Sequence, residues 1–263
     1  MEPGDVKNLV GKCVLVTGAG RGLGRAIVNE FHRQGAKIYA VPKTKEKLDS
    51  LIDELPTNII PICVDLSSWK ETETALENLE RVDCLVNNAA IMESQDFLEI
   101  TEEMFDLQMN VNTKAVLHVS QIVARKMIAE GKPGSIVNIT SVLGKKIFPT
   151  LGAYGTSKAA LDMLTKVMAV ELGPHKITVN NITPGMLPTD LVKKFINKKA
   201  ALANVPAKVI EEGLEAFMAT KSVRKEAYIE MAEIVRTVLF LASGENVHLT
   251  GTDVSVDGGF LLM

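Results

Sequence analysis

Cysteine is scarce: Cys13, Cys63 and Cys84 are the only three in 263 residues. An odd count without metal-ligand spacing excludes a disulfide framework and reads as free thiols in a reducing compartment. All three fall in apolar, strand-like runs, so each is expected as a small buried hydrophobe. The four histidines, His32, His118, His175 and His248, show no ligand spacing, and no metal is expected. An excess of one charge is missing too. Lys and Arg total 29 against 32 Asp and Glu, a net charge of −3, which gives no electrostatic footprint for nucleic acid. Long apolar runs are absent; stretches such as VLFLA at 238–242 are far too short to span a bilayer. The opening MEPGDVKNLVGK has neither the apolar core of a signal peptide nor the arginines of a transit peptide, and the closing GGFLLM carries no peroxisomal or prenylation signal. The expectation is a cytoplasmic globule that spans no membrane.

What is present is alternation. CVLVT, KIYAV, IIPICV, CLVNN, SIVNIT, ITVNNI and DVSVDG are short Val- and Ile-rich runs bounded by Gly, Pro, Asn or Asp, the pattern of buried strands. Amphipathic stretches lie between them. GRAIVNEFHRQG closes on Gly35, a C-cap signal, TKEKLDSLIDELP stops before Pro56, and SSWKETETALENLERV opens on a serine cap. The stretch 101–131 is long enough for two helical pieces in succession. Apolar strands interleaved with helices predict a single-domain α/β fold, a doubly wound parallel sheet of Rossmann type covered on both faces, over residues 1–263. One segment breaks the rhythm. Residues 189–219 insert two amphipathic helices, split near Pro206, and are expected to form a lid over the site.

The first strand runs into TGAGRGLG, with glycines at 18, 20, 22 and 24 opening the first helix. Glycine lets a backbone approach a pyrophosphate, and a helix N-terminus supplies amides and dipole. G-x-G-x-x-G does not fit here, because Leu23 or Arg25 would stand at its last position. G-x-x-x-G-x-G fits on Gly18, Gly22 and Gly24. This predicts a dinucleotide. Tyr154 and Lys158 are four residues apart, which puts them on one face of a helix. An ammonium beside a phenol favours the phenolate, so Lys158 is expected to pull the Tyr154 pKa down from about 10. Such a pair exchanges a proton with a carbonyl or alcohol oxygen, to which Ser141 can also hydrogen-bond.

These motifs, in this order, resemble the short-chain dehydrogenase/reductase family. TGAGRGLG is similar to its glycine turn and NNAA at 87–90 to the N-N-A-G that ends the fourth strand. Asn112 in MNVNTKAV matches the helix asparagine. Ser141 stands 13 residues before Tyr154, YGTSK gives Y-x-x-x-K, Pro184-Gly185 follows the sixth strand, and TGTDVSVDGG resembles the closing strand. The resemblance covers nearly the whole chain. It implies hydride transfer between nicotinamide and a carbonyl carbon, with Tyr154 as proton donor, Ser141 placing the substrate oxygen, Lys158 also binding the nicotinamide ribose and Asn112 supporting a water chain to Lys158. It implies a cofactor surface of Gly18, Gly20, Arg21, Gly22, Leu23, Gly24, Asn88, Ala89, Ala90, Tyr154, Lys158, Pro184, Gly185, Leu187 and Thr189, with Asp65 and Leu66 at the adenine.

An NAD site usually places an acid at the end of the second strand. Here YAVPKT puts Pro42 near that place, followed by Lys43 and Thr44, with Arg21 in the glycine turn. Two cations suit a 2′-phosphate, so NADP(H) is the expected cofactor.

The resemblance is sharpest to the dicarbonyl/L-xylulose reductase branch, which includes a tetrameric carbonyl reductase and implies a homotetramer paired through helices near 101–130 and 154–172. The substrate wall departs from that branch. Val142 stands where its sugar-reducing members have Gln, Leu151 falls on their pocket histidine, and Phe148 and Met186 lie nearby. A pocket without hydroxyl partners loses selectivity for a polyol. The expected reaction is NADPH-dependent reduction of α-dicarbonyls and ketones, with L-xylulose in doubt. Two alternatives stay open: oxidation of a lipophilic alcohol such as a sterol or terpenoid, and a low-turnover NADP(H)-binding sensor.

Overall fold

The computed structural model describes residues 9–263. The N-terminal stretch read above for targeting signals lies, over residues 1–8, outside the described residues. Seven strands form one parallel sheet: β1 (Cys13–Thr17), β2 (Lys37–Val41), β3 (Ile59–Pro61), β4 (Cys84–Asn87), β5 (Gly134–Ile139), β6 (Ile177–Pro184) and β7 (Asp253–Val256). Their order is β3-β2-β1-β4-β5-β6-β7. The order reverses between β1 and β4, and that switch point opens a crevice at the carboxyl ends of the strands.

Alternation along each strand separates two apolar layers. On β1, Val14 and Val16 face one cluster with Ile27 and Phe31, whereas Cys13 and Leu15 face the other with Val119 and Val123. Ile38 and Ala40 of β2 join the first cluster and Tyr39 and Val41 the second, so a period of two is kept across the sheet. Burying each such large side chain contributes roughly 1.5–3 kcal/mol. The first layer is built by α1 (Gly22–Arg33) and α9 (Met231–Ala242). The second is built by α3 (Trp69–Leu76), α5 (Ala115–Glu130) and α6 (Gly152–Leu172).

Helix ends follow local chemistry. Gly35 takes a φ of +82° and its amide donates to the His32 carbonyl at 2.9 Å, closing α1. α2 (Lys45–Glu54) stops before Pro56. Ser68 Oγ accepts from the Glu71 amide at the start of α3. The stretch 101–131 is indeed two pieces, α4 (Glu102–Met109) and α5, joined by a π turn over Asn110–Lys114.

Two expectations need correcting. The strand β3 ends at Pro61, although the Ile62 and Val64 amides still donate to the Ala40 and Pro42 carbonyls at 3.0 and 3.3 Å, and α3 spans eight residues and ends at Leu76. Cys63 alternates with Ile62 and Val64, which pack into the second cluster, and is itself exposed, while Cys13 and Cys84 are buried as expected. The segment expected over 189–219 holds α7 (Asp190–Ala203) and α8 (Ala207–Lys221), the latter running two residues past 219, turned at Asn204 and Pro206. Among the described residues no helix is long and apolar enough to cross a membrane.

Candidate active site

The glycine turn is stitched to the end of β4. Thr17 Oγ1 accepts from the amides of Asn88 (3.0 Å) and Ala89 (3.1 Å), and Asn88 Nδ2 donates to the Thr17 carbonyl at 3.0 Å. A Cβ at Gly24 would stand 2.2 Å from the Gly18 carbonyl oxygen, so only glycine lets α1 start this close to the turn. Gly22 has a φ of +53° and room around it, which leaves the turn open to the crevice. Arg21 at the N-cap makes no side-chain capping bond, and the first turn of α1 holds no acid. Uncapped amides beside an open glycine turn fit a pyrophosphate.

Farther along the crevice, Lys43 Nζ lies 2.8 Å from Asp65 Oδ2 and Arg21 Nη1 lies 3.4 Å from Asp190 Oδ2. Burial raises the Asp65 pKa, but the Lys43 ammonium and two bonds from Ser67 outweigh it and hold the carboxyl below its ordinary range. Both cations predicted for a 2′-phosphate thus have a carboxylate partner. Lys47, one turn into α2, lines the same end of the cavity; its position four residues after Lys43 was the available signal.

At the reacting end, Ser141 precedes a short 3-10 turn at Val142–Gly144 and accepts from the Leu143 amide at 3.2 Å. Tyr154 is hydrogen-bonded to Ser141, but burial dominates and pushes the phenol up to about 12. The expected depression by Lys158 is therefore not what the structure has. Lys158 Nζ donates to the Ile139 carbonyl at 2.9 Å and stands 5.9 Å from the Tyr154 ring centre. Burial also lowers Lys158 to about 8, opposed by the charge of Asp162 one turn later on α6. Asn112 sits in the π turn, a distortion that recurs at functional sites. Its side chain bonds the Ile91 peptide in both directions (2.9 Å each) and donates to Ser157 Oγ at 3.0 Å. It ties the end of β4 to α6 and does not line the cavity.

Every other predicted site residue does. One continuous cavity of about 360 Å³ runs from Lys43, Thr44, Asp65 and Leu66, past Gly18, Gly20, Leu23 and Ala90, to Pro184, Gly185, Leu187 and Thr189. Its far end holds Val142, Phe148, Leu151 and Met186. Residues 12–200 match the family model described as short chain dehydrogenase. The chain belongs to that family.

The chain is 44% identical to L-xylulose reductase of Bos taurus over 257 residues, 96% of this chain and 98% of that one. It is 43% identical to carbonyl reductase [NADPH] 2 of Sus scrofa over 254 residues, 97% of this chain and 98% of that one. A gluconate 5-dehydrogenase from Burkholderia cenocepacia, solved in complex with NADP and tartrate, superposes with a TM-score of 0.84 at 27% identity, over 99% of this chain and 100% of that one. This short-chain dehydrogenase is an NAD(P)-dependent oxidoreductase. Sequence reasoning missed part of its cavity wall: Leu143, Val192, Phe195, Leu214 and Met218. Val192 and Phe195 are three apart on α7, Leu214 and Met218 four apart on α8, so helical spacing carried the signal.

Proposed function

We propose that the protein is an NADPH-dependent carbonyl reductase acting on α-dicarbonyls and ketones. The observation that carries this reading is the Ser141–Tyr154–Lys158 set, standing in the same cavity as the open glycine turn. In reduction the carbonyl carbon gains a hydride from NADPH, its oxygen gains a proton, C=O becomes CH–OH and NADP⁺ results.

Tyr154 supplies that proton. At about 12 its hydroxyl stays protonated at neutral pH and is an acid in waiting. Ser141 holds the substrate oxygen beside it. Lys158, near 8, is poised to carry charge or proton close to physiological pH. The turn at Gly18–Gly24 and the α1 amides would hold the pyrophosphate, and Asp65 and Leu66 the adenine. Arg21, Lys43 and Lys47 would hold the 2′-phosphate, the first two by exchanging a carboxylate partner for a phosphate. The names of the pig relative and of the NADP complex support NADP(H) over NAD(H). Asn112 acts as a positioning residue that fixes the Ile91 peptide and Ser157.

The reading extends to a cytoplasmic homotetramer. Free thiols support the location. Met163, Val167 and Val170, exposed along α6, support the assembly. Alcohol oxidation would use the same groups in reverse. A sensor has no need of a buried phenol and ammonium beside the cavity. The test is NADPH consumption with 2,3-butanedione by wild type and Tyr154→Phe. Turnover is expected to fall by about 10²-fold or more with NADPH affinity retained; undiminished turnover in the variant would exclude Tyr154 as the donor.

A further inference from the structure

The two ends of the cavity differ in kind. Arg21, Lys43, Lys47, Asp65 and Asp190 charge the cofactor end. Beyond Ser141 and Tyr154 the walls are hydrocarbon and thioether. The floor is Val142, Leu151 and Met186, all buried, and the nearby Thr140 hydroxyl is engaged by Thr183 at 2.7 Å. The roof comes from the inserted helices, with Val192 and Phe195 on α7 and Leu214 and Met218 on α8. Phe148 locks floor to roof, its ring edge-on to Phe195 at 6.0 Å and to Phe217 at 5.9 Å. The insertion is therefore packed over the chamber: Leu151, Tyr154, Phe195 and Ile196 form one apolar cluster.

A polyol entering this chamber would bury several hydroxyls with only Ser141 and Tyr154 to meet them, and both are committed to the reacting oxygen. Each unpartnered hydroxyl carries a desolvation penalty. An alkyl or aryl group gains instead, at about fourfold in affinity per buried methylene. Two methionines, one on each side, adapt to its shape.

We propose that the chamber selects neutral carbonyls bearing an alkyl chain or ring of several carbons, and that Val192, Phe195, Leu214 and Met218 determine this specificity. Polyol ketoses, including the substrate named for the bovine relative, are excluded by the same walls. This rests on the carbonyl-reductase reading for turnover, though not for binding.

The experiment has two arms. In the first, kcat/KM with NADPH is measured for 2,3-butanedione, 2,3-pentanedione, 2,3-hexanedione, 2,3-heptanedione and L-xylulose, in wild type and Leu214→Asn. The expected result is a rise of about fourfold per methylene, with L-xylulose at least about 100-fold below 2,3-hexanedione. Leu214→Asn should flatten the series and leave NADPH affinity intact. A flat wild-type series, or L-xylulose equal to 2,3-hexanedione, would overturn the proposal. In the second arm, calorimetry follows binding of acetamide, butanamide and hexanamide to the protein saturated with NADP⁺. If no carbonyl is turned over, the reductase reading fails, and this arm still decides the chamber. Affinity rising with chain length supports it and affinity independent of chain length refutes it.

Discussion

Lys158 should make the protein less stable at neutral pH than at alkaline pH, and the size of the effect follows from its burial. The residue is 2% exposed, its ammonium hydrogen-bonded to the Ile139 carbonyl, and burial lowers its pKa from 10.5 to about 8. That fall corresponds to about 3 kcal/mol. Between pH 8 and 10.5 the unfolded chain binds the proton that the native chain has shed, so unfolding free energy rises with pH. Below pH 8 the full burial penalty stands; above 10.5 it is gone. Cys13, Cys84 and Tyr154, all raised by burial, act in the opposite sense at high pH. A difference measurement removes them. Urea unfolding of wild type and Lys158→Met at pH 7 and pH 10 should show wild type gaining about 2–3 kcal/mol on the variant over that interval. Any constant cost of the methionine, such as the unpaired Ile139 carbonyl, cancels. A difference that stays flat from pH 7 to 10 would refute the claim that burial holds this amine down.

Asp162→Asn should shift the alkaline limb of wild-type activity to lower pH, because the carboxylate that favours the Lys158 ammonium is lost; a pH–rate profile reads it. Gly24→Ala should abolish the NADPH-induced rise in Tm, since its Cβ would meet the Gly18 carbonyl oxygen at 2.2 Å, whereas Gly22→Ala, with nothing nearer than 3.8 Å, should keep the fold at a cost of about 1 kcal/mol. Lys43→Asp should weaken NADPH far more than NADH in a fluorescence titration, as it removes the cation and crowds Asp65. Equal losses for both would show that Lys43 does not read the 2′-phosphate.

The central strands β1, β4, β5 and β6 were legible because they are buried on both faces and read as continuous apolar runs, and the less buried edge strands β3 and β7 because they keep Val- and Ile-rich runs. The two halves of 101–131 were legible as helices, but the π turn was not; within it Asn112 bonds the backbone of Ile91, a contact distant in sequence that no local pattern announces. Cys63 was misjudged because an apolar run does not tell which of its residues face inward, and alternation turns Cys63 away from the cluster that takes Ile62 and Val64. The gathering of Ser141, Tyr154 and Lys158 in one cavity was readable from their spacing. The direction of the Tyr154 shift was not, because it depends on how thoroughly the fold buries the phenol. The contribution of α7 and α8 to the cavity wall lay hidden in ordinary amphipathic helices, whose spacing says which face is buried but not what it is buried against.

The stitching of the glycine turn has a thermodynamic consequence. Thr17 and Asn88 bind the ends of β1 and β4 to each other, and Gly24 seats α1 directly on the Gly18 carbonyl. The cradle is then ordered before any ligand arrives, and little conformational entropy is left to lose there on binding. On the proposed binding of NADP(H), ordering losses would fall instead on the long, exposed side chains at its rim, Arg21 and Lys43, which would have to let go of Asp190 and Asp65. Affinity at this end would then be set less by how well the turn fits than by how readily those two pairs part, and raising the ionic strength loosens both.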